Sequence, residues 1–413
     1  MTEVHVRRVS FRGILESRGE LTVEAELTLD DGVVGVASAP VAIAPGRLER
    51  RRSQIRRLGP LDDEPDFAPL RATVEGRRFD SQARFDTFLG TLPAAVDLGA
   101  DVRLVLSVAF CRACAAVLGI SLVERLAHLG GTNPAMPRPL VNVFSGGIHD
   151  PTRRVPFQQI MFAPDLGDIV ANVEAALTVY SAVEERMRAT GGGVRYSASS
   201  GMLSDRFEDY VEPLAQADDV IRRSGYPRAA ARLAIDVAAE HLRTDDGRYR
   251  IGDVTVDGPE LLERHLELSA AYNVGFLEDP FDPDDIPLWR ALTSRLRPTT
   301  LVVGDDLFAT DSANIQPDLA TGIVLKLNQI GTVSGALAAA RTARETGMAL
   351  CVSHRSGETE DTVMCDLAVA VGASYIKLGG PRRGDRIAKY NRLLRLAERL
   401  DGPALSPNRG DLS

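Results

Sequence analysis

Lysine is nearly absent from this chain. Of 48 basic side chains only three are lysine, Lys326, Lys377 and Lys389, so arginine has taken almost every generic role of a surface cation. Arginine stays protonated at any working pH, whereas a lysine can be tuned to lose its proton and act as a base, so a lysine kept against this bias is a candidate for chemistry. Lys326 and Lys377 end apolar runs; Lys389 falls in what reads as an exposed helix, where chance retention accounts for it. Cysteine is scarce too. Cys111, Cys114, Cys351 and Cys365 make neither a dense disulfide framework nor a zinc-finger ligand set. Cys111 and Cys114 spell C-x-x-C, but they lie within LVLSVAFCRACAAVLGISLVERL, whose apolar residues recur at helical spacing and so read as buried helix positions. No run of about 18 apolar residues occurs and the N-terminal MTEVHVRRVSFRG lacks the apolar stretch of a secretory signal, so the expectation is a cytoplasmic protein without membrane contact. Positive charge is not in surplus: the net charge of −9 argues against nucleic acid as a partner, since phosphate backbones demand a basic face. The arginine-rich stretch 47–57 (RLERRRSQIRR) reads as a solvated helix.

What is present suits a soluble protein with a large core, with 44% hydrophobic and 25% charged residues in 413, enough for two domains. The first 60 residues alternate as strands around the turn signals Ser17-Arg18-Gly19 and Asp30-Asp31-Gly32. Residues 79–130 read as helices closed by Gly130-Gly131, and the proline-rich NPAMPRPL at 133–140 reads as a linker. From about residue 140 short apolar runs alternate with helical stretches, the pattern of parallel β/α units. Domains are therefore expected at 1–132 and 133–413. Six successive runs end on a titratable group: RLAID on Asp236, VGFLED at Glu278, LVVGDD at Asp305, GIVLKL at Lys326, ALCVSH on His354 and YIKLGG at Lys377. In a (β/α) barrel such ends meet at one mouth, where the active site lies.

Three carboxylates on neighbouring strands, Asp236, Glu278 and Asp305, would repel one another without a hard divalent cation, for which Mg²⁺ with its octahedral oxygen ligands is suited. The alternative is that each caps the helix after it. Lys326 is expected across the mouth and Lys377 two strands further on, where two ammonium groups and a divalent cation would depress the lysine pKa and free an amine to take a proton α to a carboxylate. The cation would stabilise the resulting dianion as a Lewis acid.

FLEDPFDPDD, VVGDDL, LKLNQIGTVSGAL, VSHRSGETEDT and IKLGGPRRGDRIAKYNRLLR, with SRGELTVEAEL and GGIHD earlier in the chain, closely resemble the signatures of the enolase family over almost the full length. The resemblance implies an α/β fold, an enolase-type (β/α)8 barrel with some antiparallel strand order behind an N-terminal α+β capping domain, a homodimer or higher homo-oligomer, and Mg²⁺. It implies that Asp236, Glu278 and Asp305 are the metal ligands, Lys326 the base and Lys377 the contact to the substrate carboxylate. Arg355 and Ser356 match the phosphate-binding pair, a suitable oxyanion fork, and His354 and His149 match two active-site histidines.

Departures from the family are confined to one half of the site. The GDEGG loop is here SASSG at 197–201, which is read as placing Ser200 where the family has a glutamate; a second glutamate is replaced by Gln159; and the SGASTG lid reads as APVAIAPG at 39–46. A serine cannot donate a proton as a carboxylic acid does, so dehydration of 2-phosphoglycerate is expected to be impaired by about 10²-fold or more. Two lost negative charges favour a more anionic 2-O-phosphoryl- or phosphonoyl-glycerate, as in members similar to carboxyphosphonoenolpyruvate synthase of phosphonate natural-product pathways. The alternatives are a housekeeping phosphopyruvate hydratase and a non-catalytic enolase-like binding protein.

Overall fold

The structure, a computed structural model, describes residues 3–43, 54–150, 155–189, 194–205, 207, 209–297 and 299–400. Val4–Leu15, Leu21–Leu29 and Val34–Ser38 form an antiparallel meander in which Leu15 pairs with Leu21. Its tight turns pass through Gly19 and Gly32, both at φ +82°, a conformation glycine adopts without steric cost. Alternate residues Val23, Ala25, Leu27 and Leu29 are buried on one face, as a half-covered sheet requires. The helix Ala100–Val117 lies on the meander, so close at Gly35 that a Cβ there would sit 1.9 Å from the carbonyl oxygen of Ala109. Ser81 caps the helix Gln82–Gly90, a Ser121–Glu124 capping box starts Leu122–Gly130, and Gly131 ends it in the left-handed region.

Cys111 and Cys114 are fully buried in Ala100–Val117, and burial pushes their thiols up to about 12 and about 11, so the C-x-x-C spacing is packing and not redox chemistry. Among the described residues no single helix is long and apolar enough to cross a membrane. Of the arginine-rich stretch read as a helix, residues 47–53 lie outside the described residues and 54–57 carry no helix.

The second part is a closed barrel of eight strands in the spatial order 138–145, 159–164, 231–236, 274–278, 301–304, 322–325, 349–353 and 375–377, the last pairing back onto the first. Seven run parallel; Gln159–Pro164 is antiparallel to both neighbours. Helices such as Ile169–Ala189, Gly258–Ala271, Val333–Glu345 and Gly384–Arg399 surround it. Inside the barrel Leu140, Met161, Phe276, Val303, Val324 and Cys351 pack a solid layer, which leaves only the end of the barrel for a site. Lys389 corrects the expectation of an exposed position. It is fully buried, its Nζ donating to the Thr359 carbonyl at 2.6 Å and pairing with Glu358 at 3.0 Å, because this face of Gly384–Arg399 is turned toward the barrel.

Candidate functional site

Asp236, Glu278 and Lys377 are the last residues of their strands, while Asp305, Lys326 and His354 each follow theirs directly. Parallel strands of one barrel present these ends together. Gln159 joins them from the first residue of its strand, because that strand runs the other way and pairs Gln159 with Asp236. The mouth is an open cavity lined by His149, Gln159, Lys326, His354, Arg355, Ser356 and Lys377 of the expected residues, and also by Gln158, Ser199, Ser353, Ile148, Ala42 and Ile43.

The carboxylates form a buried floor beneath these lining side chains. Lys377 Nζ donates to Asp236 Oδ2 at 2.7 Å and to both oxygens of Glu278 at 2.9 Å. Lys326 pairs with Asp305, whose other oxygen accepts from Gln329 Nε2 at 3.3 Å, and Gln158 Nε2 donates to Asp236 at 3.1 Å. Asp279 accepts the backbone N–H groups of Asp305 at 2.8 Å and Asp306 at 2.9 Å, which holds this corner rigid. Among the described residues, Asp279, Asp305 and Asp306 form a group whose ligand atoms lie within 4.8 Å of one another.

Burial, and then the neighbouring Asp236 carboxylate, push Glu278 up to about 8 against the pull of Lys377. Burial alone would lower the Lys326 ammonium, but Asp305 outweighs it and the lysine is raised; Lys377 is raised by Asp236 and Glu278 in the same way. The expected depression of the lysine pKa supposes a divalent cation on these carboxylates. Each ammonium lies in direct contact with a carboxylate, so in this arrangement the anions of the floor, not a second cation, set its proton affinity. A buried floor of oxygen donors, in which burial and the neighbouring Asp236 oppose the charge on Glu278, fits a hard divalent cation such as Mg²⁺.

His149, in the turn Gly147–His149, is lowered to about 4 by burial, with Asp236 opposing, and is neutral at pH 7. Its Nδ1 and Gln159 Oε1 are buried without a hydrogen-bond partner among the described residues, so both are available to a ligand. On the opposite wall, Arg355 N–H donates to Glu358 at 2.8 Å, and Ser356 Oγ accepts the Ile43 N–H at 2.8 Å. Of the expected lid at 39–46, Ala42 and Ile43 line the cavity, and 44–46 lie outside the described residues.

Ser200, unlike Gln159 on the same rebuilt wall, does not line the cavity. It sits at φ +62°, its Oγ donates to the Arg382 carbonyl at 3.0 Å, and its own carbonyl accepts from Tyr180 at 2.6 Å. In the turn closed by Ser197 N–H to Gly201 O at 2.9 Å, a left-handed residue turns its side chain away, and Ser199 lines the cavity instead. The signal was in the motif: glutamate is the third residue of GDEGG, and Ser199 the third of SASSG. Ser199 belongs to a buried neutral network, accepting from Asn142 Nδ2 at 3.3 Å and meeting Ser197 Oγ at 3.2 Å, with Ser145 2.8 Å from Ser197. Gln158 was also missed, since nothing in its spacing separates it from its neighbour.

The sequence profile of the enolase C-terminal TIM barrel domain matches residues 133–407. The chain is 36% identical to the enolase of Acidothermus cellulolyticus, covering 97% of this chain and 95% of that one. It is 35% identical to the enolase of Methanopyrus kandleri over 98% of each chain, and 34% identical to that of Aeropyrum pernix over 95% and 93%.

Proposed function

The chain belongs to the enolase family of hydro-lyases, and from that premise we propose that it dehydrates a 2-O-phosphoryl- or phosphonoyl-glycerate more anionic than 2-phosphoglycerate, giving a carboxyphosphonoenolpyruvate-type product. One observation carries this reading. The cavity is lined by two lysines and an arginine and, among the described residues, by no carboxylate, with Ser199 and Gln159 on its rebuilt wall. A wall of neutral Ser199 and Gln159 repels an additional anionic group less than a wall carrying two glutamates.

In this reading residues 1–132 cap a catalytic barrel at 133–413. With Asp305 drawn to Mg²⁺ and away from Lys326, the lysine Nζ is left as the neutral amine; that amine takes the α proton, the C–H electron pair becomes the new C=C bond, and the β C–O bond breaks to release hydroxide as water. Asp236, Glu278 and Asp305 hold Mg²⁺, which supplies Lewis-acid stabilisation of the dianion when bound. Lys377 contacts the substrate carboxylate, and Arg355 with Ser356 holds the phosphoryl or phosphonoyl group. His354 and His149 flank the substrate. Ser200 carries no role. Because His149 is neutral at pH 7, the proton for the leaving oxygen comes from water or from an acidic group on the substrate itself.

The test is incubation with Mg²⁺ and a series of 2-O-substituted glycerates, followed by enol absorbance and ³¹P signals. Faster turnover of the more anionic members is expected. Housekeeping dehydration of 2-phosphoglycerate is the second reading, favoured by the three relatives named enolase. Efficient turnover of 2-phosphoglycerate alone would establish it and reject the first.

A further inference from the structure

The helix Gly384–Arg399 carries two cations beneath the mouth that contact no cavity space, Arg386 and Lys389, both 0% exposed. Arg386 Nη1 hydrogen-bonds His354 Nδ1, and Nη2 donates to the carbonyl oxygens of Arg355 at 2.9 Å, Ser356 at 2.8 Å and Ala198 at 3.3 Å. A single guanidinium thus joins the imidazole, the backbone of the proposed anion-binding pair and the turn that bears Ser199. One turn along the helix, Lys389 pairs with Glu358, whose other oxygen accepts the Arg355 N–H at 2.8 Å. The 354–359 loop is therefore held from below at both ends.

The contact with His354 has a definite polarity. A guanidinium carries five N–H donors and no acceptor, so Nδ1 must be the acceptor, and a neutral imidazole in that position has its proton on Nε2. With Nδ1 engaged, Nε2 is the ring nitrogen left for the cavity that His354 lines.

We propose that Arg386 is a positioning residue that locks His354 in its Nε2–H tautomer, so that His354 presents a fixed hydrogen-bond donor, and not a base, to an oxygen of the substrate. The tautomer rests on geometry alone; its effect on turnover rests on the reading of the mouth given above. A donor held in one orientation selects a substrate oxygen with a free lone pair at that point. The same guanidinium keeps the Arg355–Ser356 backbone in register with the Ser199 turn, so the two walls of the cavity keep a fixed separation.

The test is ¹⁵N-histidine NMR on the full chain without substrate, with the His354 signals identified by their loss in His354→Gln. The wild type is expected to show a protonated Nε2 and an unprotonated Nδ1 at neutral and mildly alkaline pH. A protonated Nδ1 overturns the proposal, whatever the substrate proves to be. Arg386→Met is expected to give mixed tautomers and to lower kcat by about 10–100-fold, by analogy with the loss of the outer partner that orients a metal-bound imidazole. Arg386→Lys keeps one donor and should retain the wild-type tautomer while recovering part of kcat. A folded Arg386→Met with an unchanged His354 spectrum also overturns the proposal, and if that variant does not fold, the wild-type spectrum decides alone. Because this readout needs no substrate, failure of the proposed reaction leaves it standing, and failure of the tautomer leaves the reaction standing.

Discussion

At the scale of single residues, Ser199 and Ser200 are neighbours in one turn and yet face opposite ways, one to the cavity and one to Arg382. Glutamate at Ser199 together with Gln159→Glu restores two carboxylates to the wall. If the wall is specialised, the pair should raise 2-phosphoglycerate dehydration only slightly and depress turnover of the more anionic substrate by charge repulsion; assays of both substrates on both proteins decide it, and a large gain on 2-phosphoglycerate alone would sink the specialised reading. Lys326→Ala should abolish α-proton exchange into deuterated water. It should leave Mg²⁺ affinity undiminished, because the lysine competes for Asp305 and does not build the metal site. Exchange continuing at the wild-type rate removes Lys326 from the role of base.

At the scale of elements, the meander and the helix on it meet backbone to backbone at Gly35. Gly35→Ala forces a methyl group against the Ala109 carbonyl and should cost about 1–3 kcal/mol, read from the urea midpoint. An unchanged midpoint would mean that the helix is free to shift. On the helix Gly258–Ala271, His265 is buried with Nε2 2.9 Å from the Pro280 carbonyl, and burial lowers it from 6.5 to about 4. Between these values the unfolded chain binds a proton that the folded one refuses. Stability therefore falls as pH drops from about 6.5 toward 4, by on the order of 3 kcal/mol in all. His265→Gln should flatten that slope in urea titrations at several pH values, and an unaltered slope would assign it to other groups.

For the whole molecule, the N-terminal part does more than cover the barrel. Arg112 on the helix Ala100–Val117 makes a bidentate pair with Asp361 at 2.7 and 2.6 Å, Ser38 N–H donates to Asp361 at 3.0 Å, and Val41 bridges Gly357. These contacts pin the loop that carries Arg355 and Ser356. Arg112→Met leaves Asp361 buried without its cation and should cost about 3 kcal/mol at pH 7, and it should raise KM more than it lowers kcat. Burial would raise the Asp361 carboxyl, but Arg112 outweighs it and holds it below the usual range. Its contribution is thus present above the unfolded value near 3.9 and lost as pH falls through the lower folded value. The difference between variant and wild type should shrink in that acid range, and a constant difference would show that the pair is not its source.

Much of this protein was legible along the chain because the information was local. Turn glycines, helix caps, helical spacing around Cys111 and the charged ends of six apolar runs all depend on residues within a few positions of one another. Three decisions belonged to the tertiary structure. The reversal of the strand at 159–164 depends on which neighbours pair with it, and it alone brings Gln159 to the mouth from the start of its strand. Lys389 reads as exposed on its helix until the barrel is packed against that face. The raised lysines at 326 and 377, and the guanidinium of Arg386 beneath His354, arise between groups 21 to 141 residues apart. Proton affinity in a buried site follows distances of a few ångströms, and those distances exist only once the barrel has closed.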